Sequence, residues 1–172
     1  THVNGLSIDL AFMQAISFIT NTDIQHYAGE QSFSLISQTA VLTFVMFVAP
    51  ASGIAAAFAF IRGFIRKNFG LGNFYVDFIR IILTLLLPVA FGSALLLMVL
   101  GVPQTLNSSV TINHTLEGHN QTFVTGPVAS LESIKELGSN GGGYYGANSG
   151  HPFENPNGLS NCLLYTSDAA DD

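Results

Sequence analysis

The sequence has little charge, a single cysteine and no tryptophan. Only 9% of its 172 residues are charged, with five basic and eleven acidic side chains. So few basic residues leave no electrostatic footprint for nucleic-acid binding, and one cysteine excludes a disulfide framework within the chain. Hydrophobic residues, by contrast, make up 48% of the sequence. This composition is typical of a membrane protein rather than a soluble domain.

Two long uncharged runs predict membrane-spanning helices. Residues 31–61 contain no charged side chain, and at about 1.5 Å per residue this run exceeds the roughly 30 Å of a bilayer core, so it must tilt, bend or protrude. Pro50 and Gly53 are natural positions for a bend. Residues 81–102 form a second uncharged run that is long enough to span once. We therefore expect an all-α polytopic membrane protein.

The basic residues predict the orientation of these spans. Four of the five lie in or beside the segment of residues 62–80 that joins the two spans, namely Arg62, Arg66, Lys67 and Arg80. By the positive-inside rule this segment is cytoplasmic. The segments before the first span and after the second span then face the other side of the membrane.

That outer side would carry six carboxylates. They are Asp23, Glu30, Glu117, Glu132, Glu136 and Glu154. One interpretation is an acidic vestibule that raises the local concentration of cations. The alternative interpretation is a solvated surface without a function.

Two short helices are predicted next to polar loops. Ser7 is expected to cap a helix over residues 8–18, and Ser130 is expected to cap a helix over residues 130–137 with Glu132 in its first turn. Gly138 fits the C-terminal cap of the second helix. Both helices are too short to span a bilayer, and we expect the second to be re-entrant, so that its last carbonyls need protein, water or a cation as partners.

The loops that follow these helices have the residues of a potassium filter. Such a filter needs oxygens that replace the hydration shell of the ion, and backbone carbonyls provide them where the chain can turn each carbonyl toward one axis. Glycines reach the positive φ values that this requires, and the first loop adds hydroxyl and amide oxygens. The candidate residues are Thr20, Asn21, Thr22, Asp23, Gln25, Ser139, Asn140, Gly141, Gly142 and Gly143. The competing interpretation of the three glycines is a flexible turn.

Other chemistries have little support in the sequence. No Gly-Lys-Ser/Thr follows the glycine run, so it is not a phosphate-binding loop. The five histidines lack the spacing of a metal site, and no catalytic triad or carboxylate pair is indicated. We therefore expect no catalytic residue, no covalently bound cofactor, and no metal other than K⁺ as the transported ion.

Three segments resemble one protein family over most of the chain. The strings SFITNTDIQHYAGE, GNFYVDFIR and GPVASLESIKELGSNGGGYYGANSGHPFENPNGLSN are similar to the KdpA family, the potassium-transporting subunits of the bacterial Kdp ATPase. Gln25 and Gly141 to Gly143 match family positions associated with ion binding and selectivity. Residues 148–156 match the motif that follows the second filter, with Gly150 as a local variation.

The resemblance implies a channel-like fold in the bacterial plasma membrane. The family has four repeats of span, pore helix, filter loop and span around one pore. Residues 1–61 would hold the pore helix, filter and closing span of repeat one, and residues 62–80 a cytoplasmic loop. Residues 81–161 would begin repeat two. The chain would then be a fragment that lacks the first span and repeats three and four.

The end of the chain departs from the family pattern. After Asn161 the family leads into another apolar span, whereas this sequence has eleven residues, 162–172, that include Cys162 and three aspartates. We interpret these residues as a non-native tail.

The sequence thus favours one function and leaves two alternatives. The first hypothesis is a K⁺-binding and translocating subunit of an ATP-driven uptake complex. Because the chain has no Asp-Lys-Thr-Gly phosphorylation motif, the resemblance implies a separate ATP-hydrolysing KdpB-like subunit, with KdpC-like and KdpF-like accessory subunits. The alternatives are a stand-alone Trk-like channel or symporter and a non-conducting membrane fragment.

Overall fold

The computed structural model describes residues 5–65, 70–113 and 118–168. Within them the chain is mostly helical. The helices are α1 (Ile8–Ile19), α2 (Gly29–Ser32), α3 (Ser37–Ile65), α4 (Phe74–Val99), α5 (Val128–Leu137) and α6 (Gly158–Asp168). Of the residues that carried sequence predictions, Arg66, Lys67 and Glu117 lie outside the described part of the chain.

Helices α3 and α4 are the two apolar helices that the sequence predicts. They have 29 and 26 residues, and each is long and apolar enough to cross a membrane. In each, only 28% of the most apolar stretch is buried. Both helices therefore present a wide apolar surface, which is stable in contact with lipid and unfavourable in water.

The ends of both long helices differ from the predicted limits, because polar contacts rather than hydrophobicity fix them. The hydroxyl of Ser34 accepts a hydrogen bond from the backbone N–H of Ser37 at 3.1 Å, where α3 begins. Helix α4 begins seven residues before the predicted run, since the side chain of Asn73 accepts hydrogen bonds from the N–H groups of Tyr75 and Val76.

An ion pair joins the two long helices where the chain passes from one to the other. The guanidinium of Arg62 donates two hydrogen bonds to the carboxylate of Asp77, one of them at 3.0 Å. Arg62 also donates to the carbonyl of Leu71 at 3.4 Å. Arg62, which marked the end of the predicted first span, therefore lies within helix α3, because its charge is paired with Asp77 of α4.

A two-stranded antiparallel sheet corrects the expectation of an all-α fold. Strands β1 (Ser109–Ile112) and β2 (Gln121–Val124) pair with Ser109 opposite Val124. Their side chains are mostly exposed. The strands are short and have no buried face, so hydrophobic alternation could not reveal them.

Helix α5 forms the centre of the buried core. Its residues Val128, Ala129, Leu131 and Ile134 are fully buried, and the hydroxyl of Ser133 donates to the carbonyl of Ala90 in α4 at 2.6 Å. The sequence placed Ser130 at the cap and Glu132 in the first turn, and both assignments are wrong. The helix begins at Val128 after Pro127, so Ser130 lies in the first turn and Glu132 in the second.

Helix α1 agrees with the sequence prediction to within one residue. It runs over Ile8–Ile19 with Ser7 at the N-cap position, although the Ser7 side chain makes no capping hydrogen bond to the helix backbone. At the other end of the chain, α6 includes part of the predicted tail, and its Leu164 is buried. The interpretation of residues 162–172 as non-native stays a prediction.

Candidate ion-binding site

The first candidate loop follows α1 and is held by Ser17. The carbonyl of Ser17 accepts hydrogen bonds from the N–H groups of Thr22 at 3.0 Å and Asp23 at 3.2 Å. Its hydroxyl accepts from the N–H of Ile24 at 2.8 Å. One buried serine therefore satisfies three successive backbone donors and folds the loop back onto the end of α1.

The carbonyls of this first loop remain available. Within the described residues, the carbonyl oxygens of Thr20 to Asp23 accept no backbone hydrogen bond. Asn21 and Asp23 have positive φ values of 61° and 46°, which alternate the direction of successive peptide groups. The hydroxyl of Thr20 donates back to the carbonyl of Ile16 in α1 at 2.9 Å, which leaves the lone pairs of its oxygen free to accept.

The second candidate loop follows α5. Gly138 is at the C-cap position, as the sequence predicts, and the N–H of Asn140 donates to the carbonyl of Lys135 at 3.0 Å. Ser139 has a φ of 50°. A Cβ atom on Gly138 would lie 2.9 Å from Cγ of Pro50 in α3 and closer still to the Asn140 side chain. Only glycine fits this turn.

The three glycines of the second loop are not equivalent. Within the described residues, the carbonyl of Gly141 accepts no backbone hydrogen bond, whereas those of Gly142 and Gly143 accept from Asn148 at 2.8 Å and Gly146 at 3.3 Å. Gly142 and Gly143 have φ values of 75° and 125°. Each carbonyl oxygen has a second lone pair, so these hydrogen bonds do not prevent contact with an ion.

The two loops lie side by side, although more than 110 residues separate them in the sequence. The side-chain amide of Asn21 donates to the carbonyl of Gly138 at 3.0 Å. The amide of Asn140 donates in return to Oδ1 of Asn21 at 2.7 Å and to Oδ2 of Asp23 at 2.6 Å. We call Asn21, Asp23 and Asn140 the asparagine clasp. The fold thus brings together the two polar loops that the sequence analysis singled out.

Gly141 and Gly142 bring the backbone of the second loop against the first loop. A Cβ atom on Gly141 would lie 3.4 Å from the carbonyl oxygen of Asp23. One on Gly142 would lie 2.5 Å from Oε1 of Gln25. The amide of Gln25 donates to the hydroxyl of Tyr27 at 3.2 Å, and its buried Oε1 has no hydrogen-bond partner among the described residues. That oxygen is available to an ion or a water molecule.

An open cavity of about 590 Å³ lies beside both loops. Asn21 and Ser139 line it from the loops, and Pro50 and Gly53 line it from α3. Its walls are partly polar at the loops and apolar at the helices. The cavity gives a hydrated cation a space next to the carbonyls of the two loops.

The expectation that the acidic residues form an outer surface is wrong for three of them. Asp23 is 1% exposed, and Glu132 and Glu154 are fully buried. One oxygen of each carboxylate accepts a hydrogen bond: Asp23 from Asn140, Glu132 from Lys135 at 2.7 Å, and Glu154 from the N–H of Tyr145 at 3.1 Å. The second oxygen of each is buried and has no hydrogen-bond partner among the described residues. They support the loops from within.

Burial shifts the titration of these groups. It raises the pKa of Asp23 to about 6, against the opposing effect of its hydrogen bond from Asn140. It also raises the pKa of Glu132 and of Glu154. Burial alone would lower the pKa of Lys135, but the carboxylates of Glu132 and Glu136 outweigh it and raise that pKa. The raised pKa favours the protonated, positively charged form of Lys135.

Sequence reasoning missed Ser17, Lys135 and the buried role of Glu154. Nothing distinguishes Ser17 from other serines before the fold is known. Lys135 did carry a signal, because it is the one basic residue of the sequence outside the segment of residues 62–80, and it lies directly before a glycine-rich loop. A charge in that position needs a partner, and two nearby acidic residues, Glu132 and Glu136, could provide one.

Comparison with known proteins identifies the family of the chain. The sequence profile of the family described as Potassium-transporting ATPase A subunit, KdpA, matches residues 1–167. The chain belongs to the KdpA family. One relative is the potassium-transporting ATPase potassium-binding subunit of Caldanaerobacter subterraneus subsp. tengcongensis, which is 52% identical over 163 residues. This match covers 95% of the chain and 29% of the relative.

Membership of the KdpA family confirms the earlier resemblance and, with the two long apolar helices, supports the assignment to the membrane. The chain spans less than a third of the length of the relative that it matches. The roles of individual loop residues, the repeat organisation and the side of the membrane on which the loops lie stay predictions.

Proposed function

We propose that this chain contributes two adjacent filter loops to the K⁺-selective pathway of an ATP-driven uptake complex. The observation that carries the proposal is the asparagine clasp. It joins two loops from opposite ends of the chain, each at the C-terminal end of a short helix. Carbonyls of Thr20 to Asp23 and of Asn140 to Gly143 would replace the water around K⁺.

The electrostatics of the site favour a cation. The C-terminal ends of α1 and α5 carry partial negative charge, and both point into the loops. The carbonyl oxygens of Asn140 and Gly141, together with Oε1 of Gln25, have no described hydrogen-bond donor that would compete with an ion. We assign α1 and α5 as pore helices and K⁺ as the cargo, with no bound cofactor.

The family and the basic residues support a proposal for the arrangement in the complex. The relative's name describes a potassium-binding subunit of an ATPase, which favours an ATP-driven complex over a stand-alone channel or symporter. We propose a KdpB-like subunit as the ATP-hydrolysing partner, and KdpC-like and KdpF-like accessory subunits. The filter loops would lie outside the bacterial plasma membrane and residues 62–80 in the cytoplasm.

Replacement of Gly142 by alanine tests the filter. Gly142 has a φ of 75°, and a Cβ atom there would lie 2.5 Å from Oε1 of Gln25. In a full-length subunit that carries this segment, within its assembled complex, we expect Gly142→Ala to raise the apparent KM for K⁺ at least about tenfold, a loss of roughly 1.4 kcal/mol. Uptake of ⁴²K⁺ and competition by Rb⁺ and Na⁺ measure this effect.

Gly118→Ala is the matched control. Gly118 has a nearly equal φ of 79°, but a Cβ atom there would contact no described residue within 4 Å. Gly118→Ala therefore reproduces the backbone strain of Gly142→Ala without the contact to Gln25. Normal K⁺ affinity and ion preference in Gly142→Ala, at normal abundance, would contradict the proposed filter.

A further inference from the structure

A cluster of buried charges lies directly behind the second loop. We define the buried ion cluster as Glu132, Lys135, Glu136, Ser149 and Glu154. Lys135 is 2% exposed, and its three ammonium protons are matched by three acceptors. These are Oε1 of Glu132 at 2.7 Å, Oε1 of Glu136 at 2.8 Å, and the hydroxyl of Ser149.

The buried ion cluster touches the second loop at several points. Oε1 of Glu154 accepts a hydrogen bond from the N–H of Tyr145 at 3.1 Å. A Cβ atom on Gly143 would lie 2.6 Å from that same oxygen and 3.3 Å from Oε2 of Glu132. The backbone at Gly143 therefore rests on two carboxylates, and no larger residue fits there.

Ser149 connects the ammonium group to the far end of the same turn. Its hydroxyl contacts Lys135 and both Glu132 and Glu136, and it has a φ of 65°. Between these anchors, the N–H of Asn148 donates to the carbonyl of Gly142 at 2.8 Å. Residues 142–149 thus form a closed turn that the cluster holds at both ends.

A purely stabilising role does not account for this arrangement. Burial of several charges carries a desolvation penalty that their mutual attraction does not always offset, and well-packed apolar side chains often stabilise a core equally well. Ionic and hydrogen-bonded contacts are directional, whereas apolar packing is not. A directional cluster is suited to fixing the orientation of backbone groups in a glycine-rich loop that has few side chains of its own.

We propose that Lys135 is a positioning residue for ion selectivity, which acts through Ser149 and Glu132 to fix the backbone of the second filter loop. This inference rests on the proposed function. Lys135 does not contact the ion. Its loss would instead let the carbonyls between Asn140 and Gly143 reorient, so that the loop discriminates less between K⁺ and ions of other size.

The test uses Ser149→Ala and Lys135→Met in the full-length subunit within its complex. Ser149→Ala removes the hydroxyl that links Lys135 to the turn and leaves the charges in place. We expect it to raise the apparent KM for K⁺ about fivefold and to reduce the preference for K⁺ over Rb⁺, because a hydrogen bond to a charged group is lost. Lys135→Met should have a larger effect, of about tenfold or more.

Ser130→Ala is the matched control on the same helix. The Ser130 hydroxyl bonds to Gln104 and to the carbonyl of Pro127, at the opposite end of α5 from the loop. We expect wild-type ion preference in this variant. If Lys135→Met does not accumulate in membranes, it is combined with Glu132→Gln, so that one charge of each sign is removed. If the double variant does not accumulate either, Ser149→Ala alone decides the question.

The readout separates a positioning role from a structural one. A structural role lowers abundance, or lowers maximal uptake of K⁺ and Rb⁺ in the same proportion, with an unchanged KM. That result, or wild-type values in every accumulating variant, would overturn the inference. If Gly142→Ala loses K⁺ affinity while Ser149→Ala and Lys135→Met keep it, the filter stands and only the role of Lys135 fails. Absence of K⁺ uptake by the unaltered complex would overturn both.

Discussion

The two loops achieve a similar backbone geometry with different residues. In the first loop, the positive φ values belong to Asn21 and Asp23, which reach this region more readily than most other residues with a side chain. In the second loop they belong to Ser139, Gly142 and Gly143. The residues with positive φ in the first loop thus have side chains that form hydrogen bonds with the second loop. The glycines of the second loop instead let its backbone approach the first loop closely.

The residues that hold each loop in place also differ. One serine, Ser17, holds the first loop with neutral hydrogen bonds to backbone groups. The second loop rests on the buried ion cluster around Lys135. Neutral hydrogen bonds from the preceding helix thus hold the loop that has side chains, whereas charged groups support the glycine-rich loop. The following predictions apply to a full-length subunit within its complex.

Loss of the Ser17 hydroxyl should have the largest effect on the first loop. Ser17→Ala leaves the N–H of Ile24 without its partner at 2.8 Å, at a cost of about 1–3 kcal/mol. We expect the apparent KM for K⁺ to rise about tenfold. The control is Ser34→Ala, which removes a similar hydroxyl-to-backbone bond at the start of α3. Equal effects of both variants on K⁺ affinity would contradict the role given to Ser17.

A double-mutant cycle on the asparagine clasp should show a moderate effect. Asn21→Gly keeps the positive φ and removes the amide, and Asn140→Gly removes its partner at 2.7 Å. Because the two side chains share hydrogen bonds, we expect a coupling energy of about 0.5–1.5 kcal/mol in K⁺ affinity. Strictly additive losses of K⁺ affinity would mean that the two loops act independently and do not share one ion site.

The pH dependence of K⁺ affinity should show the smallest effect. The pKa of Asp23 is raised to about 6 by burial, so the group is neutral below that pH and negative above it. A negative charge beside the carbonyls attracts K⁺. We expect the apparent KM for K⁺ to fall about threefold between pH 5 and pH 7. Asp23→Asn should flatten this dependence, and an unchanged pH profile in that variant would remove Asp23 from the site.

The sequence was sufficient for the parts of the fold that depend on local patterns. Long uncharged runs predict α3 and α4, and a glycine after a short helical pattern predicts the end of α5 at Gly138. The same patterns could not predict the strands β1 and β2, which are short and exposed. The start of α4 after Asn73 and the position of Arg62 inside α3 depend on individual polar contacts, to which a hydrophobicity pattern is insensitive.

The candidate site was only partly predictable for a related reason. Both loops could be identified from their residue types and from the family resemblance. Their support could not, since Glu132 and Glu154 are ordinary surface residues until tertiary contacts bury them beside Lys135. Residues that bond to each other across 117 or more positions, such as Asn140 with Asp23 and Asn21, are visible only in the folded chain.

The most direct test of a shared K⁺ site is the location of a heavy analogue of K⁺. Crystals of the full-length complex with Tl⁺ or Rb⁺ give an anomalous signal at the ion. We predict a peak that contacts carbonyl oxygens of both loops, from residues 20–23 and from residues 140–143. A peak that contacts only one loop, or bound ions that contact neither loop, would contradict the account.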